Sequence, residues 1–153
     1  MKTRKITMGL TALALVGAMA LPVSAAQPQT GTTDITAIVT SSYTLSIPQK
    51  TDINFEATST ALTDPLKVTG NVAHGETVTV SAQCNPLKTA QDDELAYTLM
   101  NGSSAYTPVT WTETELRDGK KEVQLSVAID DTTWKNAKAG TYTGGIVFTA
   151  ELK

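Results

Sequence analysis

Residues 77–84 read TVTVSAQC, and this stretch decides the fold class. Its small or apolar side chains alternate with polar ones, the period of two that places successive residues on opposite faces of a β-strand. One face of the strand is therefore expected to be buried and the other to face water, as in an antiparallel sheet that covers a core. Cys84 continues the apolar parity of Val78, Val80 and Ala82, which predicts a small core residue at the end of the strand.

The same period of two recurs on both sides of this stretch and predicts a series of short strands. Before it, apolar positions alternate around residues 35–39, 43–47, 53–55 and 66–68, and after it around residues 95–100, 103–111, 123–129 and 141–152. Asn101-Gly102 and Asp118-Gly119 both tolerate the positive φ of a two-residue type I′ turn. Each dipeptide therefore predicts a β-hairpin turn.

One short helix is expected among the strands. Residues 130–140 read DDTTWKNAKAG, in which Asp130 or Asp131 can act as the N-cap and Gly140 as the C-terminal stop. With about eight or nine short strands and this helix near residues 131–138, the predicted fold is all-β. The pattern favours an antiparallel two-sheet sandwich of Ig-like or Greek-key type, with a closed barrel as the alternative.

The first 26 residues have the layout of a secretory signal peptide. Cationic residues precede a long uncharged apolar run, which ends in small residues at Ala25 and Ala26. An uncleaved anchor is the alternative, because the apolar run approaches the roughly 20 residues that span a bilayer. We predict a cleaved signal peptide at 1–26 and a single β-sandwich domain at 27–153, secreted to the medium or to a bacterial cell surface.

Charge and targeting narrow the classes of partner. The chain has 12 basic and 15 acidic residues, and removing Lys2, Arg4 and Lys5 with the signal leaves 9 basic against 15 acidic residues, a net charge of −6. A negative charge disfavours binding to nucleic acid. No membrane contact is expected after cleavage of the signal.

Three stretches carry a resemblance to a protein class. DITAIVTSSYTLSIP (34–48), VTGNVAHGETVTVSA (68–82) and AGTYTGGIVFTAEL (139–152) resemble small secreted Ig-like β-sandwich proteins of Gram-positive bacterial surfaces, the WxL-like group. The resemblance implies an Ig-like fold and a role at the cell surface. Clear Trp-x-Leu motifs are lacking, since Trp111 precedes Thr112-Glu113 and Trp134 precedes Lys135-Asn136.

The titratable residues do not predict an enzyme. The chain has one histidine, His74, and one cysteine, Cys84, which lie near opposite ends of a strand that rises about 3.3 Å per residue. They are therefore too far apart to form a nucleophilic pair. The carboxylates lack the spacing of a calcium-binding loop. We predict no catalytic, cofactor-binding or metal-binding residue and no cofactor, and an exported hydrolase would rest only on unplaced carboxylates. The alternative role for Cys84 is an intermolecular disulfide.

The predicted function is that of a secreted, non-enzymatic structural or adhesive module. Its expected partners are other surface proteins, the cell wall or a second copy of the chain. Ile35, Ala37 and Val39 share one face of the segment 33–39 and form a candidate strand-exchange segment, which would pair either in trans or within its own sheet.

A secreted module that binds a carbohydrate or another ligand is the alternative function. Trp111, Trp134 and Tyr106 are the candidate ligand platform, because exposed aromatic rings stack on the apolar faces of ligands. The competing interpretation for these three residues is that they belong to the core.

Overall fold

The computed structural model describes residues 30–153, so the predicted signal peptide at 1–26 lies outside the described residues. The chain divides into two units, residues 1–36 and residues 37–153. The described part of the first unit, residues 30–36, contains no helix or strand. The second unit carries all the helices and strands that the structure describes.

These residues form twelve strands and two short helices. The elements in chain order are β1 (Ser42–Ser46), β2 (Ser59–Ala61), β3 (Leu66–Asn71), β4 (Thr77–Cys84), β5 (Leu87–Lys88), β6 (Glu94–Leu95), β7 (Thr98–Asn101), β8 (Ser104–Ala105), β9 (Val109–Thr112), α1 (Glu113–Asp118), β10 (Glu122–Val123), β11 (Leu125–Ala128), α2 (Asp131–Asn136) and β12 (Ile146–Leu152).

The strands form four antiparallel sheets. Their orders are β1-β3-β10, β2-β11-β7-β8, β12-β4-β9 and β5-β6. The longest pairing joins β12 to β4 over seven residues, from Ile146 opposite Cys84 to Leu152 opposite Val78. In that sheet β4 has a partner on each side, whereas β12 is an edge strand.

One hydrophobic core joins the larger sheets. It contains the inward residues of β3, β4, β7, β9 and β11 together with Leu116 of α1, and Trp111 of β9 is its largest fully buried side chain. The alternation in β4 produces this burial: Val78 and Val80 have no exposed surface, whereas the threonines beside them are only half-buried. The expectation of a mostly β, antiparallel fold is confirmed.

The predicted short helix near residues 131–138 is present as α2. A second helix, α1, was not predicted. Its N-terminus is a capping box, in which Thr112 Oγ1 accepts from the Glu115 N–H and the Glu115 carboxylate accepts from the Thr112 N–H. Gly119 (φ 61°) is the C-cap of α1, so the hairpin turn predicted at Asp118-Gly119 is wrong.

Three other local predictions need correction. Residues 33–39 do not form the predicted strand, because no strand of the same chain pairs with them among the described residues. Ile53 and Phe55 lie in an irregular segment and a turn instead of a strand. Cys84 is exposed, because the last residues of β4 extend past the core.

The hairpin predicted at Asn101-Gly102 is confirmed with its loop shifted by one residue. Asn101 pairs with Ser104, which leaves Gly102 and Ser103 as the two loop residues. Only Gly102 of this pair has a positive φ, as at the first central position of a type II′ turn. Within residues 30–153, no helix is long and apolar enough to cross a membrane.

Candidate functional site

An open cavity of about 1090 Å³ lies between two irregular segments, residues 47–55 after β1 and residues 137–145 before β12. We call this cavity the groove. Its remaining lining is mostly apolar and comes from five strand residues, two loop residues and Trp134 of α2. The strand residues are Leu87, Leu95, Val127, Ile146 and Phe148, and the loop residues are Leu62 and Tyr97.

The first wall of the groove is tied to the segment that follows β2. The Gln49 N–H donates to the Thr63 carbonyl at 2.9 Å, and the Thr63 N–H donates to Thr51 Oγ1 at 3.0 Å. At the end of this wall Phe55 is 73% exposed and meets the ring of Trp134 edge-on, with centroids 5.6 Å apart. The wall is therefore held by its backbone while its aromatic end stays open to solvent.

The second wall is braced from within. The Tyr142 hydroxyl donates to the Lys138 carbonyl at 3.0 Å and accepts from the Lys138 N–H at 3.1 Å. Thr143 exchanges backbone hydrogen bonds with Lys88 at 2.8 and 2.9 Å. A Cβ on Gly144 would lie 2.8 Å from Leu87 Cδ2, so a side chain at this position would require the Leu87 side chain to shift.

The edge of β12 beside the groove carries unpaired backbone groups. Thr77 and Lys153 exchange both of their backbone hydrogen bonds, which fixes the parity of the β4–β12 ladder. Because hydrogen-bonded and non-hydrogen-bonded pairs alternate in an antiparallel ladder, the N–H and C=O groups of Ile146, Phe148 and Ala150 point to the open edge. Among the described residues only the Ala150 carbonyl has a partner there, the Tyr43 hydroxyl at 3.1 Å.

Two titratable side chains meet beneath the groove. The Tyr97 hydroxyl is buried and has no hydrogen-bond partner of the usual geometry among the described residues, and burial together with the neighbouring Cys84 raises its pKa to about 12. Burial also raises the pKa of the Cys84 thiol, which is therefore mostly protonated at neutral pH. A protonated thiol is a poor nucleophile.

The candidate strand-exchange residues share an exposed setting. Ile35, Ala37 and Val39 lie in a segment without secondary structure, and Ile35 and Val39 are 90% and 78% exposed. Ile38, on the opposite parity, is exposed to a similar extent.

The three residues of the candidate ligand platform are in different environments. Trp111 has no exposed surface and its Nε1 donates to the Lys121 carbonyl at 3.3 Å, so its ring offers no face to a ligand. Tyr106 is half-buried and donates to the Val80 carbonyl at 2.8 Å. Of the three, Trp134 alone lines the groove, where its Nε1 donates to the Ala57 carbonyl at 3.0 Å.

The sequence interpretation named Trp134 as a candidate but did not predict the groove that this residue lines. Phe55, Tyr142 and Phe148 line it because two irregular segments bring them together, and no local periodicity encodes that proximity. The pair Gly144-Gly145 directly before a long alternating strand was a usable signal of close backbone contact.

Charged side chains away from the groove have structural partners. His74 Nδ1 lies 3.2 Å from Glu113 Oε2, and Arg117 Nη2 lies 2.7 Å from Glu113 Oε1. Both contacts lower the pKa of Glu113. The Thr112 N–H and the Lys121 ammonium group lower the pKa of Glu115, the second residue of the capping box.

His74 and Cys84 flank β4 at opposite ends. Nothing in the part of the chain that the structure describes groups three or more potential metal ligands. The chain matches no family model, and neither a curated protein nor a solved structure is significantly similar to it.

Proposed function

We propose that this protein is a secreted, non-enzymatic structural module that joins a bacterial surface or extracellular assembly through the open edge of β12 and the groove beside it. The observation that carries the proposal is the juxtaposition of unpaired backbone groups at Ile146 and Phe148 with an apolar cavity of about 1090 Å³. An open sheet edge is a template for pairing with another chain, and natural proteins usually cover or charge such edges. Among residues 30–153, neither a strand nor a charged side chain covers the edge of β12 at Ile146 and Phe148.

An Ig-like sandwich is the architecture that we propose for the domain. Its support is that strands distant in sequence lie side by side, as in β1-β3-β10 and β12-β4-β9, and that such neighbours are typical of Greek-key connections. The sheets also share one core, as the two layers of a sandwich do.

Secretion is proposed from the layout of residues 1–26. We infer that retention of the protein at a surface depends on contacts with partner molecules. The resemblance to WxL-like surface proteins points to the same location. Neither Trp111 nor Trp134 belongs to a Trp-x-Leu motif, so we assign the retention to the groove and the β12 edge rather than to such a motif.

A structural role also accounts for the perturbed side chains. The lowered pKa values of Glu113 and Glu115 arise from contacts that fix α1, and that of Asp130 arises from its capping of α2. His74 and Cys84 are separated by the length of β4. None of these groups needs a substrate to explain its environment.

The second candidate function is ligand binding in the groove. Phe55 and Trp134 meet edge-on at its rim, and an exposed aromatic ring beside polar backbone can stack on a sugar. Titration with cell-wall glycans while the tryptophan fluorescence is recorded separates the two functions. A saturable change that Trp134→Ala abolishes favours the ligand-binding module.

The main test determines in which cell fraction the protein is found and whether it is a monomer or an assembly. We expect fractionation of the producing cells to place it in the surface or medium fraction, and size-exclusion chromatography with electron microscopy to find assemblies larger than a monomer. The assemblies should persist in reductant, because the contacts proposed do not involve Cys84. A strictly monomeric protein in both the surface and medium fractions would contradict the proposal.

A further inference from the structure

We propose that the groove of one molecule binds residues 33–39 of a second copy as an added β-strand along β12, with Ile35, Ala37 and Val39 facing into the groove. The inference rests on the proposed function and names the partner and the segment that the groove accepts.

The accepting side offers both components of strand addition. The backbone groups of Ile146 and Phe148 that point away from β4 provide hydrogen bonds, and their half-buried side chains line the groove. In strand addition, main-chain hydrogen bonds provide affinity and pockets for alternate side chains provide specificity. Ile47, 44% exposed on the facing wall, completes the apolar surface that an incoming strand would cover.

The donated side is a segment with exposed apolar side chains that pairs with no strand among the described residues. Ile35 and Val39 are among the most exposed large hydrophobic residues of the described part of the chain. Residues 33–39 contain no proline and no glycine, so every backbone N–H can donate and every residue tolerates an extended conformation. Their alternation fits a surface that is apolar on one side and open on the other.

The geometry favours donation to a second copy over folding back. Ser41 is anchored, since its Oγ donates to Glu76 at 2.8 Å and accepts from the Ala73 N–H at 3.0 Å. Glu76 adjoins Thr77, which pairs with Lys153 directly after the C-terminal end of β12.

The groove lies at the other end of β12, near Ile146. Seven strand residues at about 3.3 Å each separate the two ends by roughly 20 Å. A return in cis would need the chain to reverse at Thr40, directly before the anchored Ser41 and the start of β1 at Ser42.

Donation at one end and acceptance at the other makes the contact heterologous. Each molecule would fill the groove of the next and leave its own groove for a further copy. Heterologous contacts that do not close into a ring produce open filaments. We therefore expect a ladder of oligomers rather than a single dimer.

Two single-sided variants test the inference. The donor variant combines Ile35→Asp and Val39→Asp, and its control is Ile38→Asp on the opposite face of the same segment. The groove variant is Ile47→Asp, and its control is Val147→Asp, an exposed residue of β12 that does not line the groove. All are expressed from the full-length sequence, and an unchanged far-ultraviolet circular dichroism spectrum with cooperative thermal unfolding verifies the fold.

We expect each single-sided variant to lose at least about tenfold in apparent association constant by light scattering, because a charge would be buried without a partner. Both controls should assemble as the wild type does. Mixing the donor variant with the groove variant should restore pairing, because one retains an intact segment and the other an intact groove. The mixture should stop at a dimer.

The synthetic peptide TDITAIVT, which copies residues 33–40, provides a second readout on the donor variant. It should raise the melting temperature and change the Trp134 fluorescence, and a peptide with Asp at the positions of Ile35 and Val39 should do neither. The inference would be refuted if the peptide did not bind to the donor variant, or if the mixture of variants stayed monomeric.

The outcomes also separate this inference from the proposed function. Assemblies that persist in the donor variant, or an equal loss in Ile38→Asp, would overturn the strand assignment and leave a structural module that assembles by another contact. A wild-type protein that is monomeric and does not bind the peptide would overturn both.

Discussion

The two tryptophans of the chain lie in opposite environments. Trp111 of β9 is fully buried opposite Val78 of β4, its Nε1 donates to the Lys121 carbonyl, and the Lys121 ammonium group lies 5.5 Å from the ring centroid. Trp134 lies at the rim of the groove, half-buried against an exposed Phe55. We call the surroundings of Trp111 the closed region. One side of the domain is therefore complete within a single chain, whereas the other retains an apolar surface and an unpaired strand edge.

This contrast follows from the strand order. β4 pairs with β9 on one side and with β12 on the other, so both of its edges are hydrogen-bonded. Beyond β9 the chain turns directly into α1, which packs on β3 and β9 and covers the core there with Leu116. Beyond β12 no described strand follows. The completed side should therefore carry most of the stability, and the open side should carry the binding.

The largest expected effect breaks the closed region. Trp111→Ala removes the largest fully buried side chain and leaves a cavity that the surrounding strands cannot fill. We expect the free energy of unfolding to fall by about 3–5 kcal/mol, measured by chemical denaturation. A loss below about 1 kcal/mol would mean that the core repacks freely and that the closed region is not rigid.

A smaller effect is expected from the matching change at the groove. Trp134→Ala removes a half-buried ring, its hydrogen bond to Ala57 and its edge contact with Phe55. We expect a loss of about 1–2 kcal/mol in the isolated molecule, by the same denaturation measurement. If Trp134→Ala cost as much as Trp111→Ala, the groove would be closed in solution and the contrast between the two regions would disappear.

The closed region was more accessible to sequence reasoning than the groove, for a physical reason. The alternation in TVTVSAQC reports which face of β4 is buried, because burial of one strand face depends on local parity. The groove depends instead on where strands are missing. Residues 33–39 have the same alternation as a paired strand, and the sequence alone contains no information on whether a partner strand lies beside them.

Short helices also show the limit of periodicity. α1 spans fewer than two turns, too short for a 3.6-residue pattern, and its main signal is the capping box of Thr112 and Glu115. The α2 helix was predicted because an acidic N-cap and a later glycine bracket it. Helix ends are thus better indicators than helix interiors in this chain.

Low pH should weaken the capping box of α1, which covers the closed region. The pKa of Glu115 is lowered in the folded state from its ordinary value of 4.5, so its contribution to stability is present above that value and is lost as pH falls through the folded pKa. Glu115→Gln keeps a capping side chain without the charge and should reduce the loss of stability below about pH 4.5, measured by denaturation at several pH values. Thr112→Ala should cost about 1 kcal/mol at neutral pH. If Glu115→Gln lost as much stability at low pH as the wild type, other carboxylates would be responsible for the acid-induced loss.

The smallest expected effect concerns two tyrosines that differ only in their hydroxyl partners. Tyr106 donates to the Val80 carbonyl at 2.8 Å, whereas the Tyr97 hydroxyl beneath the groove is buried without a partner of the usual geometry. Tyr106→Phe should therefore lower the free energy of unfolding by about 1 kcal/mol, because it removes the hydrogen bond to the Val80 carbonyl. Tyr97→Phe should leave it unchanged or raise it by about 0.5 kcal/mol, because it removes a desolvated hydroxyl that gains little in return. Denaturation of the two variants in parallel decides the point. Equal losses would indicate that the Tyr97 hydroxyl bonds to the Cys84 thiol or to water in solution, and the floor of the groove would then be as complete as the closed region.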